Sequence, residues 1–304
     1  MTRRTARLAL SAILVAVANV VPAGQFVALE AAQNNQRTVA VSVLGRNDLP
    51  VADLTVKDFT VREDGVVREV VRVSPAAPPA TIALLVDDSQ AAMPLIREIR
   101  NALTSFADIM ADQSPVPAMR LATFGARPTT RVDFTPTFSA VSRGIDQITP
   151  STGSGGTMLD AIIETCRDLR TRRLTGAVIV AFVAEAGPEF STANHRQVQD
   201  ALKSARASLW TIVLQDPDAG GGANGERRER ALVTDSVTVE SGGRNKVILS
   251  GQNLPKAFED LAGVLLSRYE VTYGRPDTLI PPTRLEIAGR DRAWKVQVPR
   301  WPAE

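Results

Sequence analysis

The strongest constraint on the fold is a recurring pair of segments: a short, wholly apolar run, then a longer stretch with apolar residues at helical spacing. Thr81 to Val86 and Ala177 to Val183 lack the polar alternation of a half-solvated strand, which marks strands covered on both faces. Met119 to Phe124 and Ser208 to Leu214 read as further strands, with Thr130 to Phe134 a short one. Residues 93–110 place Leu95, Ile96, Ile99, Leu103, Phe106 and Ile109 at helical spacing, and 138–148, 159–169 and 198–207 read as helices too. After a Gly-rich loop at 216–225, helices are expected at 227–233 and 254–268, and strands at 246–249 and 269–273. This alternation predicts an α/β fold with a doubly wound, mostly parallel sheet flanked by helices. A chain of 304 residues, 44% of them hydrophobic, is large enough to close such a core.

The flanks read differently. Thr38 to Leu44 alternates Val39, Val41 and Val43 with small or polar residues, and Glu63-Asp64-Gly65 is a hairpin turn in which Gly supplies the positive φ. Val66 to Val73 is the expected returning strand, and Pro75 to Pro79 a stiff linker. The chain therefore divides into a small N-terminal β unit at 38–75, the α/β domain at 80–275, and a short C-terminal β tail at 276–304.

Residues 1–32 have the order of a secretory signal peptide: Arg3, Arg4 and Arg7, then an apolar run from Leu8 to Val21, then small residues. That run is shorter than the roughly 20 residues a membrane helix needs. The mature form is expected to be extracytoplasmic, periplasmic or secreted, and not membrane-embedded, with retention of the segment as an uncleaved anchor the alternative. Without residues 1–32, which carry three arginines and one glutamate, the formal charge of +2 falls to zero, which argues against non-specific nucleic-acid binding. Cys166 is the only cysteine and His195 the only histidine, so an intrachain disulfide and a multi-histidine metal site are both excluded.

In an open parallel sheet, ligands bind beyond the carboxyl ends of the strands. Three segments fall there: Asp87-Asp88-Ser89, Gly155-Gly156-Thr157, and Ala184-Glu185-Ala186-Gly187. Two adjacent carboxylates at a strand end repel one another unless a cation or amides offset them. The same residues have purely structural uses. Asp87 and Asp88 can accept loop amides, Ser89 can cap a helix, and Thr157 can pair with Asp160 in a cap.

Leu85-Val86-Asp87-Asp88-Ser89 resembles the Asp-x-Ser-x-Ser start of a von Willebrand factor A (VWA) domain. Gly155-Gly156-Thr157 with Asp160-Ala161 resembles that family's Gly-Gly-Thr loop. The stretch Leu54 to Gly65 ahead of this domain, and Tyr269 and Tyr273 after it, are similar to a bacterial VWA-related subgroup, so the resemblance spans residues 38–275. It implies a VWA (Rossmann-like) fold and a non-catalytic role in binding or adhesion to a protein partner. It also implies a Mg²⁺ ion held by Asp87, Ser89 and Thr157, with Asp88 and Glu185 assisting from further out.

The match departs from the family in two places. Ala91 stands where a second serine belongs, and Ala184-Glu185-Ala186 where Thr-Asp-Gly is usual. Two outcomes stay open: a weakened Mg²⁺ site, or a structural scaffold that has lost the metal. A hydrolase reading would use Ser154 as nucleophile and His195 as base. The spacing Gly153-Ser154-Gly155 is not that of a strand-to-helix nucleophile elbow, and the Gly-Gly-Thr loop accounts for the glycines better.

Overall fold

The computed structural model describes residues 36–215, 225–276 and 280–301. The signal peptide expected at 1–32 and most of the Gly-rich loop expected at 216–225 lie outside the described residues. The apolar runs form a six-stranded sheet from β5 (Thr81–Val86), β6 (Ala118–Thr123), β7 (Thr129–Thr135), β8 (Val178–Ala184), β9 (Ser208–Leu214) and β10 (Asn245–Ile248). Its order is β10-β9-β8-β5-β6-β7, and every neighbouring pair is parallel except β6 with β7.

Burial on both faces explains the missing polar alternation. Ile82, Leu84 and Val86 of β5 point into one core with α1 (Ile96–Ala111), α2 (Phe138–Asp146) and α7 (Leu254–Leu266). Ala83 and Leu85 point into the other, with α3 (Met158–Thr171), α4 (His195–Ala205) and the helical stretch that begins with α5 (Gly225–Leu232). That stretch continues through a π turn (Val233–Val237) into a short α6 (Thr238–Glu240). In the first core, Phe106 of α1 meets Phe258 of α7 edge to face, with ring centroids 5.9 Å apart. Truncating either ring to Ala would cost about 3–5 kcal/mol.

The strand at Tyr269–Gly274 (β11) does not join this sheet. It pairs antiparallel with β1 (Gln36–Leu44) on one side and β4 (Val70–Pro75) on the other, and β1 also pairs with β13 (Lys295–Gln297). A second antiparallel set joins β12 (Leu285–Gly289), β2 (Phe59–Glu63) and β3 (Val66–Arg68). The N-terminal β unit, β11 and the C-terminal tail thus share one apolar core, which includes Val41, Val61, Val271, Leu285 and Ile287.

The alternation Tyr269, Val271, Tyr273 suits a strand whose side chains serve one buried layer. The hairpin turn is as expected, with Asp64 and Gly65 both at positive φ (47° and 84°). The expected single return strand 66–73 is instead broken at Glu69, so that β3 pairs with β2 and β4 with β11.

Candidate functional site

The ends of β5 and β8 are sewn together by one side chain. Asp87 follows β5 directly; its carboxylate accepts the Ser89 amide (2.9 Å) and the Ala184 amide at the end of β8 (3.0 Å). Burial pushes the Asp87 pKa upward, while hydrogen bonds from Ser89, the Ala184 amide and the charge of Arg230 oppose that shift. Asp88 reaches the other way. Its carboxylate accepts the Gly125 amide (2.6 Å), just beyond β6, and pairs with Arg131 of β7 (3.3 Å). A Cβ at Gly125 would meet the same carboxylate oxygen at 2.7 Å, so this position needs glycine for close approach.

The three predicted segments converge. Ser151 donates its amide to the Asp88 carbonyl (2.6 Å), Gln90 to the Ser154 carbonyl (3.3 Å), and Gly153 to the Gln90 side chain (2.9 Å). Gly156 donates to the Pro188 carbonyl (2.8 Å), and Phe190 donates back to the Gly156 carbonyl (2.7 Å). A Cβ on Gly187 would lie 3.1 Å from the Ala91 methyl and 3.4 Å from Ser89 Oγ, so the loop after β8 closes directly over the start of the 3-10 turn Gln90–Leu95. One rim therefore holds Asp87, Asp88, Ser89, Thr157 and the Glu185 loop.

The structural uses foreseen for these residues are only partly taken up. Both acidic residues do accept loop amides, but neither Ser89 nor Thr157 caps its helix with its side chain. Thr157 donates its amide (2.7 Å) and its hydroxyl (3.0 Å) to the Phe124 carbonyl. Asp160 instead holds the Thr192 and Ala193 amides, at 3.0 and 3.1 Å. Ser89 Oγ is fully buried and lies near enough to the Asp87 carboxylate to favour its charged form, yet meets hydrogen-bond geometry with no group in the described residues.

Sequence reasoning missed three residues of the rim. Arg230 of α5, only 5% exposed, donates to the Gly187 carbonyl (2.9 Å) and the Glu185 carbonyl (2.8 Å). It also stands 4.0 Å from the Glu189 carboxylate. Glu189 is itself buried; burial raises its pKa, and it accepts the Ser191 hydroxyl at 2.6 Å. Phe190, next along, is 56% exposed. A legible signal existed only for Arg230. It shares a helical face with Val233, Thr234 and Val237, all buried, which marks position 230 as inward-facing.

Mg²⁺ demands a near-octahedral shell of hard oxygens. The rim offers it a carboxylate whose two oxygens are taken by amides, two hydroxyls, and no donor from Ala91. Asp88 is engaged by an amide and a guanidinium, and the described residues contain no group of three His, Cys, Asp or Glu side chains able to hold a metal. These donors do not fit a dedicated divalent site.

Nor is a nucleophile assembled. Ser154 donates its hydroxyl to the Ser151 carbonyl (2.7 Å), while His195 opens α4 and binds Glu229 through Nδ1 (2.7 Å). No helix in the described residues is long and apolar enough to cross a membrane.

No protein-family model and no curated protein matches this sequence. Solved structures do match. Proximal thread matrix protein 1 from the mussel byssus is similar over 67% of this chain at 15% identity with a TM-score of 0.51, and this chain spans half of that protein. The von Willebrand domain of the type V pilus-tip protein Mfa5 from Porphyromonas gingivalis is 11% identical, with 62% of this chain and 95% of that one covered, at a TM-score of 0.46. A von Willebrand factor type A protein from Catenulispora acidiphila is 10% identical, with 87% and 72% covered, also at 0.46. With its central parallel strands, the antiparallel edge strand β7 and the loops gathered at the carboxyl ends of β5 and β8, the α/β body of this chain has the layered Rossmann-like arrangement that the resemblance to von Willebrand factor A domains implies.

Proposed function

We propose that the chain is a non-catalytic binding module, acting outside the cytoplasm, that docks an acidic protein surface on the rim formed by residues 87–93, 151–157 and 184–191. The observation that carries this reading is the surface composition above a rigid base. Phe190 (56% exposed) and Met93 (42% exposed) stand on it, and two arginines reach its edge, Arg131 at the Asp88 carboxylate (3.3 Å) and Arg227 at the Ala186 carbonyl (3.3 Å). Aromatic residues, Met and Arg are the types enriched in the buried cores of protein interfaces. Of the rim's acidic side chains, Asp87, Asp88 and Glu189 are buried and Glu185 is half-buried, so the two arginines at its edge outnumber the carboxylates it presents outward. An acidic partner is the complementary choice.

The base is held by Asp87, Asp88 and backbone hydrogen bonds, so binding would ask little reordering of the loops. Export rests on the basic, apolar and small-residue order of residues 1–32. The test is site-specific photo-crosslinking in cells, with the reactive group at position 190 and, as a control, at the exposed Leu249. A discrete adduct from position 190 alone, lost on Arg131→Glu with Arg227→Glu, supports the reading. Equal labelling from both positions overturns it. N-terminal sequencing of the protein recovered outside the cytoplasm checks the cleavage.

A further inference from the structure

We propose that Arg230 is a built-in cation that replaces the divalent metal of this fold, so that the rim assembles and binds without a metal ion. Two buried carboxylates meet at the loop after β8: Asp87 accepts the Ala184 amide where the loop begins, and Glu189 lies within it. A buried carboxylate without a compensating charge is strongly unfavourable, and a divalent ion is one way of supplying that charge.

Here the charge arrives on a side chain. The Arg230 guanidinium is buried, which pulls its pKa down, while Glu189, Asp87 and Glu185 pull it back up, so all three carboxylates act on this one cation. Arg230 also does what a metal does mechanically. Its two terminal nitrogens bind the carbonyls of Glu185 and Gly187, fixing the loop at two points. The planar guanidinium fork reaches two carbonyls at once, which a lysine ammonium on a flexible stem does not reproduce.

Two further features belong to the same device. The π turn Val233–Val237 begins three residues after Arg230, and such turns are frequent at functional sites. Ala91, which offers no ligand, lies so close to Gly187, the residue whose carbonyl Arg230 holds, that a Cβ added to that glycine would come within 3.1 Å of its methyl. A divalent ion entering this space would meet a fixed positive charge and too few free oxygens.

The inference concerns the charge inside the rim and is independent of what docks on its outside. Its test uses the mature full-length protein, with Mn²⁺ as the probe read by electron paramagnetic resonance, and thermal melting with Mg²⁺ or EDTA. The wild type is expected to show no saturable Mn²⁺ binding at millimolar ion and the same melting temperature in both buffers. Ala91→Ser, which restores the missing hydroxyl, is expected to behave like the wild type, because Arg230 remains. Arg230→Met is expected to lower the melting temperature by roughly 10 °C and to recover part of that loss in millimolar Mg²⁺, and Ala91→Ser with Arg230→Met to bind Mn²⁺.

Saturable sub-millimolar Mn²⁺ binding by the wild type or by Ala91→Ser overturns the proposal. So does an Arg230→Met protein that folds and responds to Mg²⁺ no differently from the wild type. Should Arg230→Met not fold, the two Arg230-containing proteins decide the matter alone. Loss of crosslinking at position 190 would leave this result standing, so the two readings fail separately.

Discussion

Glu63 in the β module and Glu189 in the rim are both buried carboxylates with arginine nearby, and they are used in opposite ways. Glu63 is gripped directly, by Arg68 at 2.9 Å, Arg275 at 3.4 Å and the Tyr273 hydroxyl at 2.9 Å. Those partners come from β3, from just past β11 and from β11, so one carboxylate ties the two antiparallel sheets together. Arg230 in the rim instead gives its hydrogen bonds to backbone carbonyls and keeps Glu189 at 4.0 Å. A direct pair joins secondary-structure elements; an arginine bound to main chain shapes a loop. The first arrangement is a structural joint, and the second is what a binding surface needs beneath it.

The largest effect expected is from Glu63→Ala. Removing one partner of a buried charge cluster leaves the others uncompensated and costs about 3–5 kcal/mol. Urea denaturation would measure it, and hydrogen exchange should place the loosening in β2, β3 and β11. A loss smaller than that of Arg230→Met would break the comparison. Next in size is Tyr273→Phe, which removes one hydrogen bond to a charged group, for about 1.5–3 kcal/mol.

The same tyrosine gives a pH test. Burial, and then its bond to Glu63, raise the Tyr273 pKa above the usual 10.0. A raised folded value means the folded state keeps its proton longer than the unfolded one. The stability this contributes is full below about pH 10 and is lost as pH climbs through the higher folded value. Melting curves from pH 8 to 11 should show an alkaline loss of stability that Tyr273→Phe reduces.

The smallest effect on folding is expected from Phe190→Ala. An exposed side chain changes stability by no more than about 0.5 kcal/mol, whereas the adduct formed from a photo-reactive group at the neighbouring exposed position 93 should disappear. A large loss of stability would make Phe190 part of the scaffold rather than of the docking surface.

Much of the α/β body was legible before any coordinates, because its code is local. Strands such as Ile82 to Val86 carry their burial in an unbroken apolar run, and helix α1 carries its own in the spacing of Ile99, Leu103 and Phe106. The place of Asp87 and Ser89 was legible because a parallel sheet puts every β-to-α loop on the same side, whereas Thr157, in the loop between α2 and α3, was legible only through the resemblance of its Gly-Gly-Thr segment. The break at Glu69 was not, since residues 66–73 read as one strand and only the competing partners β2 and β11 divide them.

By itself, then, the sequence determined the layers of this protein and the edge on which its loops gather, since both follow from hydrophobic period and chain order. Only the tertiary structure decided that Tyr269–Gly274 leaves the parallel sheet for β1 and β4, and that Arg230 lies beneath the rim. Both rest on contacts between residues far apart in the chain: 215 positions from Leu54 to Tyr269, and 43 from Gly187 to Arg230. A side chain's periodicity records whether it is buried, but not which distant charge or strand it is buried against.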